Sequence, residues 1–458
     1  MHTYHAGATV ALISRLGRVA LAAAVTALAL AGCGSTNSGH ANVSCSIPLS
    51  APGAPQVVVW GWWNGMGDVV KEFNKTHSDV QVCWTNVGQS ADEYPKLRTA
   101  LTAGTGAPDV VMIENDQLNS FAIDRSIVDL VPYGVTDIKS KFTAGAWNSV
   151  SSGASVYAVP VDSGPIGLYY RKDLLNAAGI TAPPSTWDEY AAQAQTFKNS
   201  GAKGSYGNFS LNTPSLILPL QQQGGSTGFT YDLKDPNTIG ISLDDTGAEK
   251  VTKYWFDLLD RGLVKDVDAF TTDNSTMLAS GLQATYIGAA WGTEVLQGLT
   301  GADPNAQWRV APLPQWDAAH PVQIQWGGSS LAVTKQASDK KLATTVASEL
   351  YGTDAAMDIE IAAGDHFPTR EAKLNSASFQ DKQWPFFGGQ QIIKDVFAPA
   401  ANDFKGQVFS PFAGYLYPAV QKSLVDARKE RGSAAKALAS LQADVSAYAT
   451  QRGMTVKK

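Results

Sequence analysis

Val57-Val58-Val59-Trp60, then Val69-Val70 with Phe73, then a second extended run over residues 80–85, then Tyr94, Leu97 and Leu101, then Asp109 leading into Val110-Val111-Met112-Ile113: the reading of residues 56–113 decides the fold. Runs of four to six apolar, β-branched residues suit buried strands, and the i, i+3, i+7 spacing of Tyr94, Leu97 and Leu101 suits a helix. Residues 61–67 break the first strand with glycines, and Gly104-Thr105-Gly106-Ala107-Pro108 stops the second helix. Strand and helix therefore alternate. Such alternation predicts a parallel sheet with helices on both faces, whose ligands sit beyond the carboxyl ends of the strands, so the loops after Trp60 and Ile113 become candidates for a site.

Downstream, residues 168–170 read as a strand, and Thr186-Trp187-Asp188-Glu189 reads as a capping box opening a helix towards Phe197. Residues 201–212 are polar and loop-like. Helical spacing returns over residues 251–259, and residues 284–290 form a strand that reaches Trp291. Pro312-Leu313-Pro314 is expected to cross between two halves of the molecule, residues 323–333 supply extended segments, and the remainder is mostly helical, with no internal repeat.

Upstream, Arg15 and Arg18 precede an apolar run over residues 19–30 that ends in Leu30-Ala31-Gly32-Cys33. About twelve apolar residues are too few for a hydrocarbon core that needs about 20, so the segment reads as an export signal, and its last residues as those of a bacterial lipoprotein, removed before Cys33. Residues 1–32 are then the signal peptide, Cys33 carries the lipid, and residues 33–55, rich in Gly, Ser, Asn and Pro, form a flexible tether. The expected location is the extracytoplasmic face of the cell membrane. Cys45 and Cys83 remain as an even pair in an oxidising compartment, where a disulfide persists; the alternative is two buried free thiols.

The chain has 458 residues, too many for one core and suited to two or three domains. Its formal charge is -6, and losing the two signal arginines makes it more acidic, which argues against a nucleic-acid partner. Charged residues make up 17%, so the surface relies on neutral polar groups, and the 12 Trp are the outstanding excess.

Catalytic chemistry is thinly supplied. Outside the signal and tether only His77, His320 and His366 remain, and neither a His-Glu-x-x-His helix nor paired-Cys spacing is present, so no metal and no cofactor is expected. Ser329 in Gly327-Gly328-Ser329-Ser330 lacks the second glycine of a nucleophile elbow. Gly104-Thr105-Gly106 follows a helix and precedes a strand, the reverse of a phosphate-cradling loop. Asp116 and Asp162 stay open as the acid and base of a glycosidase. What recurs is an aromatic beside a polar residue at strand ends: Trp62-Trp63-Asn64, Asn115-Asp116, Asp162, Trp291 and Trp326-Gly327. A sugar ring has an apolar C–H face and a rim of hydroxyls, so its site needs flat aromatic platforms edged by hydrogen-bonding side chains. Each of these Trp could instead pack a core, and each Asp could cap a turn; Trp187, Trp255 and Trp384 read as structural.

Several strings then resemble one family, the extracellular solute-binding proteins of ABC importers, in the group that includes maltose-binding protein. They are Gly106-Ala107-Pro108-Asp109-Val110-Val111, Tyr157-Ala158-Val159-Pro160, Leu168-Tyr169-Tyr170-Arg171-Lys172-Asp173-Leu174, Ala178-Gly179-Ile180, Pro183-Pro184 and Thr186-Trp187-Asp188-Glu189. The likeness thins over residues 201–281 and resumes at Ala289-Ala290-Trp291, at Trp326-Gly327-Gly328 and at Gly364-Asp365-His366-Phe367-Pro368-Thr369-Arg370. The resemblance implies an α/β, two-lobe periplasmic-binding-protein type II fold with an interlobe cleft and multiple hinge crossovers. Lobe one would hold residues 56–161 and 315–367, and lobe two residues 162–314 and 368–458. It implies that Trp291 stacks on sugar, that Gly61 to Gly65, Asn115-Asp116, Asp162 and Trp326-Gly327 supply first-lobe and hinge contacts, and that Arg370 donates to a hydroxyl pair or an anionic substituent. The Trp62-Trp63 doublet and the loop around Gln221-Gln222-Gln223 depart from the family pattern. The implied function is non-enzymatic capture of a neutral carbohydrate by a lipid-anchored monomer and its delivery to a membrane permease. A glycosidase, or a binding protein for a glycerophosphodiester or peptide, remains the alternative.

Overall fold

The strand Gln56–Trp60 forms because three consecutive valines bury both faces of its backbone, and it ends at Gly61, where a β-carbon would lie 2.4 Å from Met66 Sδ. The computed structural model describes residues 44–363 and 366–457. The signal peptide, Cys33, the tether up to residue 43, and Gly364-Asp365 lie outside the described residues.

Gln56–Trp60 sits second in a five-stranded sheet, in the order Gln81–Thr85, Gln56–Trp60, Val110–Glu114, Ser329–Val333, Val159–Asp162. The first three strands are parallel, as expected, but Ser329–Val333 runs antiparallel to both its neighbours, so the sheet is mixed. Helix Met66–Thr76 buries Met66, Val69, Val70 and Phe73 in the core of this sheet, each contributing about 1.5–3 kcal/mol by leaving water. Helix Ser90–Ala103 buries Tyr94, Leu97 and Leu101 and ends at Gly104, whose φ of 76° is the left-handed conformation glycine tolerates. Cys45 and Cys83 are disulfide-bonded, which ties residue 45 to the edge strand Gln81–Thr85.

A second sheet has Ile166–Arg171 at its centre with Thr285–Ala289 and Trp308–Pro312 antiparallel on either side. Its alternate residues feed different cores: Ile166 and Leu168 pack with Trp187, Trp255 and the C-terminal helices, whereas Tyr169 packs with Trp308, Phe387 and Phe397. Helices Ala413–Lys429 and Ala434–Gln451 close the former core. The capping reading at Thr186 needs one adjustment. Thr186 Oγ1 accepts from Glu189 N at 3.1 Å, but Glu189 Oε2 accepts from Ser185 N, one residue earlier than a capping box requires.

Two expectations are corrected, and one small sheet was not expected. Gln221, Gln222 and Gln223 are not in a loop: they end helix Pro214–Gln223, where Pro214 takes the first turn and the buried Gln223 amide satisfies Trp187 Nε1 and Pro314 O. Residues 228–242 contribute Gly228–Asp232 and Asp235–Ser242 to a further small sheet with Thr455–Lys457, a pairing between distant segments that local sequence did not announce. The chain does not leave the second core at Pro312-Leu313-Pro314, because Leu313, Ile324 and Trp326 all remain packed in it. The crossing comes at residues 325–328, where Trp326 N donates to Gly164 O at 2.9 Å and a β-carbon on Gly164 would lie 2.1 Å from Trp326 O. A third passage lies alongside, with Ser163 N donating to Phe367 O at 3.0 Å. Three adjacent chain passages thus connect the two cores.

Candidate functional site

Strand Thr285–Ala289 carries the chain to Trp291, which starts helix Gly292–Gln297. The indole of Trp291 is fixed by its own N–H, which donates to Trp326 O at 3.0 Å, and by the Trp326 ring at 4.8 Å and 72°. Gly327, at φ 95°, brings the crossing chain to the indole edge, where a β-carbon would lie 3.4 Å from Trp291 Nε1. What remains uncovered of Trp291 lines a cavity of about 190 Å3.

That cavity is lined from the first and third passages and from the helices and loops on either side of them. Asp162 and Ser163 come from the first passage, and His366 and Phe367 from the third. Ile361 and Ala362 come from helix Asp354–Ala363, while Thr293, Glu294 and Gln297 come from the helix after Trp291. Phe379, Lys382, Trp384 and Ile393 complete the wall. Lys382 Nζ sits 4.3 Å above the Trp384 ring, a cation–π contact that holds both side chains. Two indoles, a rim of carboxylate, hydroxyl, amide and ammonium groups, and an apolar floor therefore share one space.

Behind His366 stands a buried support. The imidazole stacks on Tyr351 at 5.8 Å and 2°, meets the Trp63 edge at 5.7 Å, and places Nε2 2.9 Å from Val161 O. Tyr351 Oη donates to Glu360 Oε1 at 2.8 Å, and Glu360 Oε2 lies 3.7 Å from His366 Nδ1.

A second polar group lies at the carboxyl end of strand Val110–Glu114. Glu114 Oε2 accepts from Ser90 Oγ at 2.8 Å and from Tyr94 Oη at 3.1 Å, and burial holds its carboxyl above the usual carboxylate range. Asp116 accepts from Tyr417 Oη at 2.6 Å and is pushed up to about 7, first by burial and then by the charge of Glu114. Glu93 is pushed up to about 9, chiefly by burial, with the Glu114 charge adding and Lys96 opposing.

A family model described as bacterial extracellular solute-binding protein matches residues 65–357. The chain belongs to that family. Among curated relatives, this solute-binding protein is similar to the lactose-binding protein of Rhizobium radiobacter, 25% identical over 412 residues that cover 85% of this chain and 90% of the relative. It is similar too to the galactooligosaccharide-binding protein of Bacillus subtilis, 24% identical over 335 residues, covering 71% and 73% respectively. Among solved structures it resembles the ABC transporter associated binding protein of B. animalis subsp. lactis, in complex with beta-1,6-galactobiose, with a TM-score of 0.71 at 24% identity, covering 88% of this chain and 100% of that one. The galacto-N-biose-/lacto-N-biose I-binding protein of Bifidobacterium longum gives a TM-score of 0.75 at 22% identity, covering 88% and 99%. Those likenesses establish the two-lobe α/β fold.

Of the residues singled out in sequence, the cavity of this solute-binding protein brings together Asp162 and Trp291. Trp326 is buried beside Trp291, its N–H donating to Ser215 Oγ at 3.0 Å, and Gly327 adjoins the Trp291 indole. Trp63 is buried against His366 and Tyr351, one layer behind the cavity wall. Trp62 is half-buried with its ring edge-on to Tyr94 at 6.0 Å, and Asn64 is exposed; neither lines the cavity. Asn115 is buried against Gly328, whose β-carbon would lie 2.8 Å from Asn115 Nδ2. Asp116 is bonded to Tyr417 and does not share the cavity with Asp162, so the acid–base pair entertained for a glycosidase is not assembled in it.

Two readings are corrected. Arg370 is engaged by Asp354 at 2.7 Å and stands outside the cavity wall, because the exposed carboxylate of the neighbouring helix reaches its guanidinium first. Trp384, read as structural like Trp187 and Trp255, is only partly buried and lines the cavity, whereas Trp187 and Trp255 are core. Nothing local distinguished it, except that Lys382 stands two residues before it, a spacing compatible with a cation over an exposed indole face.

Proposed function

We propose that this solute-binding protein captures a neutral mono- or oligosaccharide in the cavity lined by Trp291 and Trp384 and hands it on unaltered. The observation that carries the reading is that Trp291 and Trp384 line one cavity whose remaining polar groups are mostly neutral or acidic. Indole faces match the C–H face of a pyranose, and Ser163, Gln297, Asp162 and Glu294 match its hydroxyl rim. The lactose-binding and galactooligosaccharide-binding relatives support the same class. A phosphodiester is less well served, since Lys382 is the one Lys or Arg of the lining and already covers Trp384.

In this reading lobe one comprises residues 56–161 and about 327–367, and lobe two residues 162–326 and 368–458, with the return point moved from residue 315 to follow core membership. Ligand touching both lobes favours the closed form by its difference in free energy between open and closed states. Micromolar capture needs about -8 kcal/mol, within reach of stacked rings and several hydrogen bonds. Cys33 tethers a monomer to the outer face of the membrane by its lipid, and a membrane permease receives the closed form; residues 44–55, expected in the tether, instead belong to the body, where Cys45 is bonded to Cys83 and Gln81 Oε1 accepts from Ser50 N and Ala51 N. No covalent step is assigned to any residue.

The test is a thermal-shift and calorimetric screen of the purified residues 34–458 against galactose, lactose, maltotriose, a galactotriose and an arabinotriose, with the sugars analysed afterwards. A ligand at 100 times its dissociation constant adds about 2.7 kcal/mol to stability. Saturable binding with intact sugar recovered is expected. Absence of any shift across the panel, or recovery of cleaved sugar, overturns the reading.

A further inference from the structure

Phe270 departs at once from a rule of burial and a rule of backbone conformation. It is 66% exposed, the largest exposure among the large apolar side chains of the described residues. Its φ is 62°, the left-handed region that a residue with a β-carbon seldom occupies. Yet its ring is not idle: it lies 5.7 Å from the Trp291 ring and 5.7 Å from the Trp326 ring, tilted 47° and 49°.

The strain is held in place from both sides. Asn208 exchanges two hydrogen bonds with Val267, Nδ2 to the carbonyl at 2.8 Å and the Val267 N–H to Oδ1 at 2.9 Å. Asp268 Oδ1 accepts from Asn212 Nδ2 at 2.6 Å, and Thr271 Oγ1 donates to Asp268 O at 2.7 Å while capping helix Thr272–Ala279. The loop is therefore stapled immediately before and after Phe270, which leaves that residue to take the unfavourable conformation. Strain over-determined by its surroundings is a mark of function when an observed outlier sits beside a binding site. A singly exposed apolar residue is ordinary, but one that is also strained, rigidly presented and packed at a tilt against the indole that lines the cavity is not.

We infer that Phe270 is a second stacking platform, continuing the aromatic surface from Trp291 outward, and that it binds the sugar ring next to the one held in the cavity. This rests on the carbohydrate reading of the cavity and makes it narrower: the ligand class becomes a chain of at least two rings, and a single ring leaves Phe270 uncovered. A flat ring at that distance from Trp291 suits successive joined pyranoses, whose apolar faces both need cover from water.

The experiment is calorimetric titration of wild type, Phe270→Ala, Phe270→Gly and Phe270→Tyr with galactose, lactose, maltotriose and a galactotriose. For the oligosaccharides that wild type binds, both small replacements should lower affinity at least tenfold, and Phe270→Tyr should stay within threefold. Binding of galactose, where wild type shows it, should change less than twofold. Phe270→Gly should melt no lower than wild type, since glycine accepts the left-handed backbone without strain. Oligosaccharide affinity unchanged in Phe270→Ala and Phe270→Gly, or an equal loss for single and joined rings, overturns the platform while leaving the cavity's carbohydrate reading in place. A lower melting temperature for Phe270→Gly overturns it in favour of a packing role. Failure of wild type to bind any of the four sugars removes the platform together with the reading it rests on.

Discussion

Tyr417 donates its hydroxyl to Asp116 Oδ2 at 2.6 Å, joining two residues 301 positions apart in sequence. Tyr417 belongs to the C-terminal helix Ala413–Lys429, which packs on the second core, and Asp116 opens helix Asn115–Ile123, which packs on the first. The same helix Asn115–Ile123 meets the second core again where Asn119 Nδ2 donates to Tyr231 Oη at 2.6 Å. One short helix thus supplies two polar links between the cores, and one of them involves a carboxyl whose proton affinity burial has raised.

Tyr417→Phe should lower stability by about 1–3 kcal/mol, because a buried carboxyl loses its donor. The bond from Tyr417 lowers the proton affinity of Asp116, so it favours the charged form, and the loss should be greater at pH 8 than at pH 5. Chemical denaturation at the two pH values measures it; equal losses would contradict the assignment.

Stability should decline as pH rises from 5 to 9. Glu93 moves from an ordinary 4.5 to about 9 on folding, so the folded state holds a proton that the unfolded chain has lost. Its contribution is fully present below about 4.5 and disappears as pH climbs through 9, and Asp116 acts with the same sign between 3.8 and about 7. Glu93→Met, of similar volume and without charge, should flatten the decline above pH 7 and raise the melting temperature at pH 8.5. A variant with the wild-type pH profile would remove Glu93 as the cause.

Reduction of the Cys45–Cys83 bond, or the Cys45→Ser/Cys83→Ser pair, should cost about 4 kcal/mol by chain entropy for a 38-residue separation. Sugar affinity should be unaltered, since neither cysteine adjoins the cavity. Denaturant titration with and without reductant, followed by calorimetry, checks both halves.

Trp291→Ala should weaken saccharide binding at least tenfold while leaving the protein folded, since Trp291 is only partly buried. Trp384→Ala should do the same, and Trp255→Ala should instead lose about 3–5 kcal/mol of stability by emptying a core position. Unchanged affinity in Trp291→Ala would take that indole out of the site.

Much of this architecture was legible along the chain, and the reason is periodicity. Val57 to Val59 and Val110 to Ile113 announce buried strands because both faces are apolar, and Tyr94, Leu97 and Leu101 announce a helix because only one face is. Trp291 was visible because it follows a readable strand. The helix ending at Gln223 was not, since prolines at 214 and 219 read locally as breakers, whereas its glutamines find partners only in the folded core. Arg370 and Trp384 were not legible for the same kind of reason: a carboxylate on a neighbouring helix occupies the arginine, and the packing of distant segments brings the indole to the cavity wall.

The amino-acid order alone marked the elements whose periodicity is plain, such as the strands at Val57 to Val59 and Val110 to Ile113 and the helix of Tyr94, Leu97 and Leu101, and fixed which residue types were available to meet a hydroxylated ligand, because those follow from spacing and side-chain chemistry over a few residues. Only the tertiary structure decided that Trp384 faces the same space as Trp291, that Asp116 is held by Tyr417 instead of standing with Asp162, and that Phe270 is presented in a strained conformation beside both Trp291 and Trp326. Such relations depend on which distant segments pack together, and packing is set by the sum of many weak contacts that no local window contains.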